Sequence, residues 1–376
     1  MKKGYYLYPG SKTEFSGVEK KVDAQIKVLS QYFEIKKIII EKESTNFLKS
    51  ILWRLPFGSW GAKYDETISE MLSSCHKDEV SFIYIRAGAI DRRYLEFLRN
   101  LKTTFGNAKI VLEVATFPYR KELLQDYGMW PWFFKDMLYS GRIKRFVDKV
   151  VTFTEDELIF DIPTIRTHNG IIVDDVPMGI SQDVIKNGLN RINLIAVAQF
   201  QKSHGYERII KGLADYYSKP REKDVYLYMV GEGDQKAYYE RLTQRYGLQK
   251  YVIFHGKKSG NELNALYDDS DIGLSCFGLY KRGIDISSAL KVREYLAHGL
   301  PIVSGVREDV FDEEGNSYFL RFPNDKSNVS IERIVNFYCE LVSNKKKERL
   351  REDIRSFAKQ KLDMEIVLKP VIEYLK

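Results

Sequence analysis

Cysteine is scarce in this chain: Cys75, Cys276 and Cys339 are the only three, far apart and odd in number. That excludes a disulfide framework and fits a reducing compartment. No apolar run approaches the roughly 18 residues of a membrane-spanning helix. The start, Met1-Lys2-Lys3-Gly4-Tyr5-Tyr6-Leu7-Tyr8-Pro9, has too short an apolar stretch for a signal peptide. A cytoplasmic protein is expected, with any membrane contact peripheral. No His/Cys cluster has zinc spacing, and neither a Gly-x-Ser-x-Gly elbow nor a Walker loop occurs. Recognition-helix, zinc-finger and aromatic RNA-binding signatures are also missing, so nucleic acid is not an expected partner.

What is present is an ordinary globular balance, 44% hydrophobic and 30% charged residues, with a formal charge of +7. The 376 residues exceed what one core organises, so two domains are expected. The basic excess is spread along the chain and suits a solvated surface, a polyanionic substrate or an anionic membrane. Aromatics are dense, with 25 Tyr and 21 Phe, and such side chains serve a core, a ligand cleft or an interface.

Short apolar runs alternate with longer amphipathic stretches. Tyr5–Tyr8, Lys36–Ile40, Val80–Ile85, Lys109–Val114 and Lys149–Phe153 read as strands, separated by helical periodicity. The alternation restarts after about residue 175, with strands at Ile192–Ala198, Val225–Val230, Val252–Phe254, Ile272–Ser275 and Pro301–Ser304. Runs lacking polar alternation, joined through helices, imply parallel sheets covered on both faces. The expected fold class is therefore α/β, with two Rossmann-like domains and a ligand cleft beyond the strand ends. The seam is placed in the turn-rich segment Asn169–Pro177. This gives a first domain over 1–175, a second over 176–355, and a final helix over 356–376 that can cross back to the first.

The segment richest in chemistry is Asp285-Ile286-Ser287-Ser288-Ala289-Leu290-Lys291-Val292-Arg293-Glu294-Tyr295-Leu296-Ala297-His298-Gly299-Leu300-Pro301. Ser287 or Ser288 is suited to cap a helix that starts near Ala289. The free N–H groups of such a helix form an anion site fit for a diphosphate. Lys291 in the first turn opposes the helix dipole, an arrangement that makes sense when an anion binds. Glu294 lies on the same face, where a carboxylate can accept two ribose hydroxyls. Read from the residues alone, a capped structural helix with solvated Lys and Glu stands beside this reading.

The same segment resembles the donor-site signature of GT-B glycosyltransferases, above all the retaining family-4 group. The matching pattern is Lys, two residues, Glu-Tyr-Leu-Ala, then Gly-x-Pro. The resemblance covers most of residues 190–320 and extends more thinly over the N-terminal half. It implies a GT-B fold of two facing Rossmann-like domains and transfer of a sugar from a nucleotide-sugar donor, with no metal required. The acceptor it implies is a glycan or lipid-linked glycan of surface polysaccharide synthesis. Glu294 would hold the donor ribose, and Ser288, Ala289, Leu290 and Lys291 its phosphates. The family commonly has a second Glu eight residues earlier, contacting the donor sugar. Ile286 stands there, with Asp285 its candidate substitute. That departure keeps two alternatives in view, a catalytically silent glycosyltransferase-like subunit and an epimerase-type relative.

Other segments follow in the family's order. Lys202 and His204 lie in the loop after a strand, where a basic residue reaches the diphosphate. Gly231 belongs to a turn that resembles the family's Gly-x-Gly turn, and the resemblance implies that backbone groups around His255 and Lys257 would read the nucleobase edge. Near the N-terminus, Gly17 matches the Gly-rich loop that approaches donor phosphates or acceptor. Arg86, Thr116 and Tyr119 are candidate acceptor contacts, and Glu113 a candidate base for the acceptor hydroxyl. Finally, Tyr127–Lys135 with Arg142, Lys144, Arg145 and Lys149, together with Trp53–Trp60, pairs aromatics with cations as an anionic membrane face requires.

Overall fold

A computed structural model describes residues 1–10, 17–43, 51–55, 58, 62–115, 117–125, 127–178, 190–311, 316–343 and 345–376. The chain divides into two compact units, Met1–His168 with Met364–Lys376, and Asn169–Asp363. The sequence-based seam at 175/176 thus lies seven residues too late. Residues 169–175 are held by the second unit: Arg293 donates to the Asn169 carbonyl at 2.9 Å and Arg355 to the Val173 carbonyl at 2.7 Å.

The first unit runs β1 (Lys3–Pro9), α1 (Gly17–Leu29), β2 (Glu34–Ile40), α2 (Tyr64–Ser74), β3 (Val80–Arg86), α3 (Arg92–Thr104), β4 (Lys109–Val114), α4 (Arg120–Gln125), α5 (Trp130–Tyr139), β5 (Lys149–Thr152), β6 (Leu158–Ile159) and β7 (Ile162–Arg166). Its sheet has the order β2-β1-β3-β4-β5-β7-β6, parallel except for the β6–β7 hairpin. The order reverses between β1 and β3, which makes their carboxyl ends the place where a doubly wound sheet leaves room for a ligand.

The second unit runs β8 (Arg191–Val197), α6 (Glu207–Tyr217), β9 (Asp224–Val230), α7 (Lys236–Arg245), β10 (Val252–Gly256), α8 (Gly260–Asp268), β11 (Ile272–Leu274), β12 (Ile286–Ser287), α9 (Leu290–Ala297), β13 (Ile302–Ser304), β14 (Arg307–Glu308), β15 (Phe319–Arg321), α10 (Ile331–Ser343) and α11 (Lys347–Leu362). Its six-stranded sheet is wholly parallel, in the order β10-β9-β8-β11-β13-β15. Here the reversal lies between β8 and β11. Leu194, Ile195 and Ala196 of β8 are fully buried, the mark of a strand covered on both faces. The last helix, α12 (Met364–Leu375), belongs to the first unit: Thr167 donates to the Val367 carbonyl and Lys109 to that of Tyr374. The single helix expected over 356–376 is two, parted at Asp363. Among the described residues, no helix is long and apolar enough to cross a membrane.

Candidate functional site

In the second unit the two loops at the switch point carry the predicted donor residues. The loop after β8 crosses residues 277–278 so closely that a Cβ on Gly205, at φ +64°, would stand 2.4 Å from the Gly278 nitrogen. Only glycine tolerates both that approach and that dihedral. The crossing is fixed by the Phe277 N–H, which donates to the His204 carbonyl at 2.7 Å. The Gly-x-Gly turn after β9 backs the same loop: a Cβ at Gly231 would lie 1.9 Å from the Ala198 carbonyl oxygen. Backbone packing therefore accounts for Gly231.

Lys291 sits at the second position of α9, whose N-cap is Ala289 with no side-chain cap. The capping expected of Ser287 or Ser288 does not occur. The Ser288 hydroxyl instead accepts from Arg293 at 3.2 Å, while the Ser288 carbonyl accepts from the Asn169 amide at 2.6 Å. Arg293 is fully buried and also pairs with Asp309. No N-cap side chain thus accepts from the first turn of α9, where the Val292 N–H donates to the Ala289 carbonyl at 3.1 Å, and a helix start without a side-chain cap is one that suits an anion. The Lys291 ammonium donates to the Tyr206 hydroxyl and to the Ser275 carbonyl, each at 2.9 Å.

His204 stacks on the same Tyr206, with ring centroids 5.7 Å apart. Its Nδ1 accepts the Gln201 N–H at 3.1 Å, which leaves the ring proton on Nε2 as a donor. Burial, then the nearby Lys291 charge, lowers its pKa to about 3, so the ring is neutral near pH 7. Lys202 lies two residues away and is exposed. Glu294 is half-buried and accepts from the Tyr267 hydroxyl at 3.1 Å. The structure thus brings His204, Lys291 and the start of α9 together around Tyr206.

His255 and Lys257 stand at the end of β10. His255 packs edge-on to Tyr228 at 5.1 Å, and burial lowers its pKa. Asp285 is exposed and accepts from the Asn324 amide at 2.7 Å. Ile286 is 43% exposed and pairs in register with Arg307. Glu308, next in β14, is buried; desolvation lifts its pKa to about 7, and the Ser304 hydroxyl donates to it at 2.8 Å. Sequence reasoning missed Tyr206, Ser275, Tyr267 and Arg293, whose roles depend on partners distant in the chain.

In the first unit a cavity of about 800 Å³ opens at the carboxyl ends of β1, β3 and β4. Trp53, Tyr64, Tyr94, Tyr119, Trp132 and Arg86 are among the side chains that line it. Tyr119 donates to Asp136 at 2.5 Å, and Arg120 pairs with the same carboxylate at 2.6 Å. Glu113 accepts from Lys21 at 3.1 Å, Gln25 at 2.9 Å, Tyr84 at 2.7 Å and Arg86 at 3.0 Å. Burial opposes its ionisation, but Lys21 and Arg86 outweigh that and bring the pKa to about 2. A carboxylate held so firmly ionised is a poor proton acceptor near neutral pH. This geometry makes Glu113 the anchor of Arg86. Gly17 opens α1, whereas Thr116 and residues 11–16 lie outside the described residues. Among the described residues, no three His, Cys, Asp or Glu side chains are grouped as a metal site needs.

Residues 191–338 match the family model of Glycosyl transferases group 1. The matched residues lie within the second unit. No curated protein matches the chain. Among solved structures, Anabaena Alr3699/HepE in complex with UDP and glucose is 15% identical, with a TM-score of 0.62, over 100% of this chain and 99% of that one. Sucrose-phosphate synthase from Thermosynechococcus elongatus is 14% identical with a TM-score of 0.65, over 99% and 98%. The lipopolysaccharide outer core galactosyltransferase WaaB is 11% identical with a TM-score of 0.58, over 98% of each chain. The whole chain has the GT-B fold, and the residues that match the family model lie in its second Rossmann-like unit.

Proposed function

We propose that this protein transfers a glycosyl group from a nucleotide sugar to a hydroxyl of a glycan, with the second unit holding the donor. The observation that carries this is Lys291, fixed by Tyr206 and Ser275 at a helix start without a side-chain cap, with Glu294 three residues on. The free N–H groups of α9 and the Lys291 ammonium receive the diphosphate, and the His204 Nε2–H adds a neutral donor. Glu294 accepts the ribose hydroxyls, and residues 255–257 flank the base. As the glycosidic bond breaks, charge grows on the leaving diphosphate. These fixed donors stabilise it, which is the part a divalent cation would otherwise play.

The first unit presents the acceptor in its aromatic cavity, with Arg86 and Tyr119 as contacts. The acceptor is a lipid-linked intermediate of surface polysaccharide at the membrane's inner face, and the anomeric configuration is retained. The complexes of Alr3699/HepE with UDP, with UDP and glucose, and with UDP-glucose, and the galactosyltransferase activity in WaaB's name, support a UDP-sugar donor. The test is thermal shift against UDP, GDP, dTDP, CMP and ADP, followed by product analysis with the labelled nucleotide sugar. One nucleotide should stabilise the protein by mass action. If none does, and Glu294→Ala alters nothing, the donor reading fails.

A further inference from the structure

Helix α5 is inverted with respect to an ordinary surface helix. Its two charged residues, Lys135 and Asp136, are 0% and 2% exposed, whereas Trp130, Phe134, Met137 and Leu138 are 41%, 49%, 57% and 43% exposed. These four stand at i, i+4, i+7 and i+8, a single helical face. A soluble helix turns such a stripe inward, and here it is the charges that are buried. Asp136 is neutralised by Arg120, and Lys135 lies over the Trp53 and Trp132 rings at 5.0 and 5.3 Å while donating to the Trp53 carbonyl.

The exposed face continues beyond the helix. Tyr127, 81% exposed, packs on Trp130 at 5.1 Å, and the Trp130 indole donates to the Leu124 carbonyl at 3.2 Å. On the other side the Trp53–Trp132 ring contact at 5.1 Å brings in the segment bearing exposed Ile51, Leu52 and Leu55. Of the sixteen large apolar side chains exposed among the described residues, nine fall in residues 51–55 and 124–138. A patch this concentrated marks an interaction surface.

Its flanks select the partner. Arg54 lies within the first segment, and the turn that follows α5 directly, Ser140–Arg145, exposes Arg142, Lys144 and Arg145. Asp161 pairs with Lys144 at 2.8 Å. A second copy of this chain meeting the patch about a two-fold axis would bring these cations toward their own like. An anionic bilayer answers both features, since Trp, Phe, Met and Leu enter the headgroup–acyl boundary while Arg and Lys meet the phosphates.

We propose that α5, residues 51–55 and the Ser140–Arg145 turn form a docking surface that inserts shallowly into an anionic lipid bilayer. This rests on the reading of a lipid-linked acceptor and names the surface that meets the lipid. Trp53 and Trp132 belong both to these segments and to the cavity wall, so docking sets the cavity beside the lipid.

The test is flotation of the full-length protein with vesicles of phosphatidylcholine and phosphatidylglycerol, against phosphatidylcholine alone. The protein should float with the anionic vesicles, and Phe134→Glu/Met137→Glu should weaken partitioning about tenfold or more. Arg142→Gln/Arg145→Gln should weaken it on anionic vesicles only. An unchanged thermal shift with nucleoside diphosphate shows that each variant is folded. Failure of the wild type to float overturns the proposal, as does equal flotation of the glutamate variant. So does a dimer, seen by light scattering, that the glutamate variant abolishes while wild-type vesicle binding is absent. Flotation without any nucleotide response would instead sink the glycosyl-transfer reading and leave the docking surface standing.

Discussion

The two switch points of this molecule are built from opposite materials. In the second unit the polar side chains are tethered one to another: Lys291 to Tyr206 and Ser275, Glu294 to Tyr267, Arg293 to Asn169, Ser288 and Asp309. In the first unit the corresponding strand ends open into a cavity lined by aromatic rings and small apolar side chains, with one guanidinium, Arg86, braced by Glu113. A wired polar site fixes a single charged ligand in one geometry. An aromatic cavity buries area with few directional demands and so suits a bulkier, partly apolar ligand. The contrast supports the proposed division, with the donor in the second unit and the acceptor in the first.

The largest effect should come from cutting the wiring. Arg293→Met removes the buried guanidinium that pairs with the carboxylate of Asp309, itself 6% exposed at its side chain. Breaking a buried pair costs about 3–5 kcal/mol. Thermal melting should show that loss, and nucleotide response should fall with it because Ser288 and Asn169 lose their tie to α9. If the variant melts like the wild type, the tethering is ornamental and the comparison collapses.

Next comes a pH-signed effect. The Glu308 pKa of about 7 lies above its usual value because the folded state favours the neutral acid. Its contribution to stability is therefore complete below about pH 4.5 and lost as pH rises to about 7. Glu308→Gln keeps a neutral side chain throughout. It should melt like the wild type at pH 4.5 and be more stable by about 2–3 kcal/mol above pH 7. A constant difference across that range would show that Glu308 stays ionised.

Much of this was legible in the sequence, and what was not had one cause. Apolar runs such as Ile192–Ala198 disclosed buried parallel strands, and the segment around Lys291 and Glu294 disclosed the helix α9. The helix cap was misread because propensity favours a Ser hydroxyl at that point, whereas Ser288 is claimed by Arg293. Arg293 itself stands between two singled-out residues but binds Asn169, 124 positions away. Glu113 looks like a free carboxylate at a strand end until Lys21 and Gln25 of α1 and Tyr84 and Arg86 of β3 converge on it. Aromatic density around residue 130 was plain, but which face of α5 it occupied was not. Each miss is a tertiary contact overriding a local preference.

Lys291→Ala sharpens the donor side. It removes the cation beside the uncapped helix start while sparing the core, because the side chain is half-exposed. Affinity for the stabilising nucleoside diphosphate should fall about 10- to 100-fold, the worth of one charge-assisted hydrogen bond. Isothermal titration measures it. The loss should shrink for the nucleoside without phosphates, and a uniform loss across both ligands would place Lys291 away from the diphosphate.

The smallest expected effect tests whether the two units divide the work. Arg86→Met takes one partner from Glu113 but leaves Lys21, Gln25 and Tyr84, so the buried carboxylate stays satisfied and the fold should hold. What is lost is the one guanidinium on the cavity wall, itself only 19% exposed and facing a largely apolar space. For an acceptor that carries hydroxyls or a phosphate near that wall, KM should rise roughly 5- to 10-fold, about 1 kcal/mol of uniform binding. The kcat at saturating acceptor should hold, and nucleoside diphosphate affinity should be unchanged. A drop in nucleotide affinity equal to that in acceptor would mean that Arg86 serves the donor. The separation of roles drawn from the two switch points would then be wrong, however well each unit folds.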